Sequence, residues 1–274
     1  MHQEPTAAEH PSRAVLDRIV TTRAHTARIW NYWLGGRDYY EVDRTTGDHI
    51  RGLHPGIDAY ARADRAFLNR AVRHLVTDRG ITQFLDIGTG LPTADNTHEA
   101  AQRLVPEARV VYVDNDPLVL AHARALLTSS PQGLTDYLDL DLREVDAILE
   151  QASRTLDLSR PVALMLLGVV IFVEDDDEAY GIVRRLMAGL ASGSHLVLSH
   201  TVTRPATPDV DAAVAYWNEN GTPRLKQRTP EAVSGFFAGL DVLDPGVVSC
   251  SRWRPDPGAD SQEVAMFGGV GRRP

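Results

Sequence analysis

From Gly80 onward, short apolar runs alternate with helical periodicities. The runs fall at 83–87, 109–113, 135–140, 162–167 and 195–199, and amphipathic stretches lie between them at 96–105, 117–127, 143–151 and 175–190. Strand–helix alternation of this kind predicts an α/β fold with a mostly parallel sheet, helices on both faces and right-handed crossovers. Two last strands are predicted near 247–252 and 263–268, and residues 205–228 interrupt the alternation as an insertion, helical at 210–217. Upstream, a short helix is expected over 12–27 with Ser12 as its cap. A longer one is expected over 58–79, with Ala63, Phe67, Ala71 and Leu75 on one face and Gly80 as its stop. The chain therefore divides into an N-terminal helical segment, 1–80, and an α/β domain, 81–274.

Composition narrows the function classes. At 274 residues, 43% apolar and 24% charged, the chain is that of an ordinary globular protein. Its longest apolar stretch, 162–173, is too short to span a bilayer, and the polar start, Met1 to Pro5, carries no signal core. One cysteine, Cys250, excludes an internal disulfide and a cysteine-rich zinc site, so a cytoplasmic location is expected. A net charge of −9 without a basic stripe argues against a nucleic-acid partner. No metal site is expected either, because the acidic run 174–178 reads as a helix start.

In an open parallel sheet the ligand site lies at the carboxyl ends of the strands. The first strand ends in Asp86-Ile87-Gly88-Thr89-Gly90-Leu91-Pro92. Gly88 and Gly90 allow a sharp turn and close approach of a ligand. A dinucleotide loop would add a third glycine at the helix start, but Thr93 stands there and Pro92 has no N–H to offer phosphate. The next good cap is Asn96, with Glu99 three residues on. S-adenosylmethionine (SAM), which has no phosphate, suits such a loop better. After the second strand, Asp114 is placed to accept from ribose hydroxyls, with Asn115 beside it, while Asp116 precedes Pro117 as a helix cap. After the third strand, the Asp141 carboxylate can accept from an adenine amino group and the Leu142 N–H can donate to a ring nitrogen. Asp139 reads as a surface residue. The apolar turn of Leu167, Gly168 and Val169 can shield the methyl donor. His200, ending the fifth strand, is a weak catalytic candidate.

With these segments in place, the chain resembles a bacterial family of SAM-dependent methyltransferases formerly classed as a domain of unknown function. Three stretches carry the resemblance: 27–38 (ARIWNYWLGGRD), 84–93 (FLDIGTGLPT) and 111–117 (VYVDNDP), and the ending 268–274 also fits. The resemblance covers almost everything from Ala27 to Pro274. It implies the class I methyltransferase fold, Rossmann-like, with seven strands of which the last is antiparallel. It also implies SAM contacts by Asp86, Gly88, Gly90, Asp114 and Asp141, and it supplies no acceptor. Trp30, Trp33 and Asp139 depart from the family's usual choices.

The leading reading is an enzyme that moves the SAM methyl group to a small-molecule acceptor, leaving S-adenosylhomocysteine. A non-enzymatic sensor of SAM or S-adenosylhomocysteine is the second reading, and an NAD(P)-dependent oxidoreductase the third. The aromatic segment 30–40, broken by Gly35-Gly36, has the mixture of rings and polar groups expected of a lid. Asn31 and Tyr32 are expected to touch the cofactor, and Trp30, Trp33 and Tyr39 to line the acceptor pocket.

Overall fold

The computed structural model describes residues 19–92, 95–126, 129–204, 206–259 and 261–274. The expected helix over 12–27 and its Ser12 cap lie largely outside these residues. From Ile19 to Arg23 the chain is not helical. It then forms β1 (Ala24–His25), α1 (Thr26–Trp33), α2 (Glu41–Leu53) and α3 (Ile57–Arg79). The alternating part follows as β2 (Gln83–Ile87), α4 (Thr97–Gln102), β3 (Arg109–Asp114), α5 (Pro117–Leu126), β4 (Leu134–Asp139), α6 (Val145–Ala152), β5 (Ala163–Leu167), α7 (Asp176–Ala188) and β6 (His195–Thr201). The chain continues through α8 (Pro208–Asn220), β7 (Gly221–Thr222), α9 (Pro230–Gly235), β8 (Asp241–Val242), β9 (Val248–Ser249) and β10 (Met266–Arg272).

The main sheet has eight strands along the path β4-β3-β2-β5-β6-β10-β8, with β9 also on β10. The first five are parallel, and β10 runs antiparallel to β6. The expected antiparallel last strand is therefore present, starting at Met266 instead of 263. Six strands make up the body of the sheet, and the two-residue strands β8 and β9 bring the count to eight instead of the expected seven. Strand order reverses between β2 and β5, which places the crevice for a ligand there.

Alternation along each strand splits the core in two. Phe84, Val110, Tyr112, Met165 and Val197 face one cluster with Phe67, Ala71, Val72 and Leu75 of α3. Leu85, Val111, Val113, Leu164 and Leu166 face the other, under α6 and α7. Strands buried on both faces read as continuous apolar runs, which is why they were legible. Gly80 ends α3 in the left-handed region, at φ 67°, as its position predicted.

The N-terminal helices join the first cluster through Ile29, Trp33 and Ile50. A buried ion pair fastens them: Arg28 Nε donates to Asp43 Oδ2 at 2.8 Å, with both side chains almost fully enclosed. Asp43 also accepts from the backbone N–H groups of His25 and Tyr40, which satisfies the buried carboxylate. The helix α2 has no counterpart among the sequence expectations. Its buried face is Asp43, Thr46, Gly47 and Ile50, so its inward stripe is mostly polar or small. Gly47 is required there, because a Cβ would come within 2.8 Å of the Tyr32 ring.

Candidate active site

The switch point opens into a cavity of about 510 Å³, within the range of small-molecule sites. The ends of β2, β3, β4 and β5 form its floor, while α1, α3 and residues 222–224 wall it. Gly88 and Gly90 turn with φ of 76° and 65°, a region that side chains rarely adopt. The two glycines differ in surroundings. A Cβ on Gly88 would stand 2.3 Å from Val169 Cγ2, whereas one on Gly90 would meet nothing within 4 Å.

Asp114 links this turn to the end of β3. Its Oδ2 accepts from the Gly90 N–H at 3.0 Å and its Oδ1 from the Asp116 N–H at 2.9 Å. A carboxylate has about four acceptor directions, so capacity remains toward the cavity. Burial pushes the carboxyl of Asp114 up to about 6, against the pull of those two N–H donors. Asp86, ending β2, accepts from Thr97 Oγ1 at 2.6 Å, and burial pushes it up to about 6 as well. A third buried carboxylate, Asp64, comes from α3, lines the same cavity and is pushed up to about 6 by burial.

Asp64 was not among the sequence expectations, though a signal was present. It occupies a position on the apolar stripe of α3, four residues after Tyr60 and three before Phe67, where a charge is out of place unless it has work to do. Arg65, next to it, also lines the cavity and donates to Asn96 Oδ1 at 3.1 Å. Asn96 and Glu99 form the expected capping box on α4, and Asp116 caps α5 by accepting from the Leu118 N–H at 2.7 Å.

Asn115, Asp141 and Leu142 line the far end. There Asp141 Oδ2 accepts from Asn115 Nδ2 at 2.9 Å and Oδ1 from the Arg143 N–H at 2.9 Å. Gly168, at φ 60°, lines the cavity opposite. Its N–H donates to Ser199 Oγ at 3.0 Å, and Trp30 packs against it. Asp139 is exposed at the end of β4.

The aromatic segment is divided by the structure. Trp30, Asn31 and Leu34 line the cavity. Asn31 is buried, and its Oδ1 accepts from the Asp38 N–H at 3.0 Å, pinning the turn that follows α1. Tyr32 does not line it. Its hydroxyl donates to Asp48 and accepts from Arg51 at 2.9 Å on the other side of α1. Tyr39 packs edge-on against Tyr32 and does not line the cavity. Trp33 faces a second, smaller chamber of about 50 Å³, which Trp30 also lines.

His200 does not reach the cavity lining. It is fully buried, its Nδ1 donates to the Thr201 carbonyl at 2.8 Å, and its Nε2 accepts from Arg228 at 2.8 Å. Burial pushes its pKa down to about 3, so the ring is neutral and its nitrogens are occupied. Arg228 also donates to the Val173 carbonyl and to Asp176. This cluster braces the turn after β5.

Comparison with known proteins agrees with this geometry. Residues 12–274 match the model of the S-adenosyl methyltransferase family. A DUF574 family protein from Streptomyces avermitilis is 44% identical and superposes with a TM-score of 0.88, over 93% of this chain and 99% of its own. A Thermobifida fusca protein classed as a methyltransferase is 37% identical, with a TM-score of 0.84 over 92% and 96% of the two chains. Human N-acetylserotonin methyltransferase, in complex with SAM, shares the fold at 11% identity and a TM-score of 0.50, over 95% of this chain and 64% of its own. No protein of curated function matches the sequence. The chain belongs to the S-adenosyl methyltransferase family and is a SAM-dependent methyltransferase of the class I fold.

Proposed function

We propose that the 510 Å³ cavity holds SAM and that the enzyme methylates a small-molecule acceptor. The observation that carries this reading is the convergence of Asp64, Asp86 and Asp114 on the one cavity that the glycine turn borders. Such a set of carboxylate acceptors repels a pyrophosphate and suits a ligand bearing a sulfonium, an ammonium and hydroxyls. Asp114 takes the ribose hydroxyls, with Asn115 beside it. Asp141 and the Leu142 N–H read the adenine, and Asp86 and Asp64 face the amino-acid end. Gly88, Gly90 and Gly168 let the backbone approach the ligand.

Bound SAM supplies an electrophilic methyl on a positively charged sulfur. The protein holds the acceptor in line and excludes water, which Trp30, Leu34 and the turn at Gly168 do by enclosing the cavity. Among the described residues no helix is long and apolar enough to cross a membrane, and with its one cysteine buried the chain suits the cytoplasm. Residues 1–80 act with the α/β domain as its cover, the segment 30–40 being the part that closes. Its cleavage near Gly35-Gly36 by a protease should slow with saturating S-adenosylhomocysteine, and equal rates would refute closure.

A thermal-shift series with SAM, S-adenosylhomocysteine, NAD and NADP tests the reading. A ligand at about 100 times its Kd adds about 2.7 kcal/mol to the folded state. The first two should raise the midpoint and the dinucleotides should not. A rise with a dinucleotide and none with S-adenosylhomocysteine would overturn it.

A further inference from the structure

Behind the cofactor cavity lies the smaller chamber of about 50 Å³, walled by Trp30, Trp33, Tyr60, Trp217 and branched side chains. Thr26, Trp30 and Phe172 line both spaces, so they share a wall. Apart from Tyr60, the one ionisable side chain lining this chamber is His54; the rest of the lining is apolar except for Thr26 and Thr201, and Thr201 is hydrogen-bonded to the Tyr60 hydroxyl. His54 follows α2, and its Nδ1 stands 2.5 Å from Asp209 Oδ2 on the first turn of α8. The other ring nitrogen, Nε2, is buried and has no hydrogen-bond partner among the described residues.

The C-terminal cap of α2 does not explain the ring, because the cap is made by the His54 backbone N–H to the Ile50 carbonyl. Asp209 is partly solvated, at 43% side-chain exposure against 13% for His54, so its carboxylate stays ionised while the ring is enclosed. A carboxylate at Nδ1 fixes the tautomer: Nδ1–H donates and Nε2 keeps its lone pair. A buried lone pair without a donor loses stability unless a ligand supplies one.

We propose that His54, oriented by Asp209, is the general base for the methyl acceptor, and that the acceptor is a ring-borne hydroxyl of the phenol class. This rests on the reading of the larger cavity as the SAM site. The chamber accommodates only a few water-sized groups, at roughly 10–15 Å³ each, so it takes the hydroxyl-bearing edge of a ring while the remainder extends past Trp30 and Phe172. Aromatic walls suit such a body. In the transfer, His54 Nε2 takes the hydroxyl proton as the oxygen lone pair forms the O–CH3 bond. The S–CH3 bond breaks with its electron pair left on sulfur, turning sulfonium into thioether. Asp209 stabilises the imidazolium until it releases the proton to solvent.

The test uses 4-fluorophenol and 4-fluoroanisole, which differ by the transferred methyl, followed by 19F NMR on the full chain. Calorimetry with S-adenosylhomocysteine runs alongside. Saturated with that product, the wild type should bind 4-fluorophenol at least fivefold tighter than 4-fluoroanisole. With SAM it should convert the first into the second. His54→Phe should erase the preference and lower conversion at least 100-fold, with S-adenosylhomocysteine affinity unchanged. His54→Gln, which retains a hydrogen-bond acceptor, should keep part of the preference and still lose conversion. Equal binding of the two probes, no conversion by the wild type, or a preference that survives in His54→Phe overturns the proposal. Failure of the wild type to bind S-adenosylhomocysteine would instead strike the reading of the larger cavity.

Discussion

The two cavities are built on different principles. The larger is made of backbone and carboxylates: strand ends, glycine turns at positive φ, and Asp86 and Asp114 held by groups within 30 residues of sequence. The smaller is made of rings gathered from α1, α3 and α8, closed by a pair 155 residues apart in the chain. In the first, sheet topology dictates where each residue lies, and spacing along the chain is nearly a map of the site. In the second, placement depends on how three helices pack, which no local pattern encodes.

The sharpest way to break this contrast is to put a side chain into the glycine turn. Gly88→Ala meets both a positive φ and Val169, whose Cβ lies only 2.5 Å from the new atom. Since Cβ is fixed to the backbone, rotation of the valine cannot relieve the clash. Strain and overpacking together should cost about 2–5 kcal/mol of stability. Gly90→Ala has the same backbone problem and open space around it, so it should lose only about 1–2 kcal/mol. Chemical denaturation of the two variants checks this. Equal losses would mean that the turn relaxes as a unit and that its shape is not imposed by β5.

Asp114→Ala comes next. It removes a charge-assisted acceptor for the ribose and releases the Gly90 and Asp116 N–H groups. Affinity for S-adenosylhomocysteine should fall by about 1.5–3 kcal/mol. Calorimetry that finds the same affinity in a folded variant would remove Asp114 from the ribose site.

The contrast also explains what was legible. The parallel strands, the glycine turn and the carboxylates after β2, β3 and β4 could all be read, because apolar runs and chain spacing carry them. The caps at Asn96 and Asp116 were legible for the same local reason. Helix α2 was not, since its buried face of Asp43, Thr46, Gly47 and Ile50 gives no apolar period. Tyr32 was assigned to the cofactor from a mixed aromatic stretch, but α1 turns it toward Asp48 and Arg51. Once a stretch of rings is helical, only one face of it can meet a given site, here the face of Trp30, Asn31 and Leu34. His54 lies in a stretch whose only local signal is a loop, and its partner is on another element.

Asp64 bridges the two regions, since α3 carries both it and Tyr60 of the chamber wall. Its folded-state pKa, about 6, exceeds the unfolded 3.8. The protonated form is therefore favoured by the fold, and that stability is lost as pH rises from about 4 through 6. Asp64→Asn removes the loss, and its neighbours Ser199 and Cys250 can donate to an amide oxygen. The ligand-free variant should be more stable than wild type by about 1–2 kcal/mol at pH 7.5. The gap should close as pH falls through 6 toward 4. The buried His195 and His200, pushed down by burial to about 4 and 3, act in the opposite direction, but equally in both proteins. A gap independent of pH would show that the carboxylate is not held in its protonated form.

The smallest effect is expected at the adenine end. Asp141 divides its acceptor capacity among the Asn115 amide and the Arg143 N–H and guanidinium, and it is partly exposed. A hydrogen bond from an adenine amino group to a carboxylate so shared and so solvated contributes at the lower end of the usual range. Asp141→Asn should therefore reduce affinity for S-adenosylhomocysteine by about 0.5–1.5 kcal/mol. Exchange of adenine for hypoxanthine should cost the wild type more than the variant. Hypoxanthine presents a carbonyl, which repels the aspartate and can accept from an asparagine amide that turns toward it. The sign of that difference is the decisive measurement, because a mere loosening of the loop would weaken both ligands alike. If the wild type bound both bases equally well, the polar cavity would lack an adenine reader at β4, and its contrast with the aromatic chamber would narrow to the carboxylates of β2, β3 and α3.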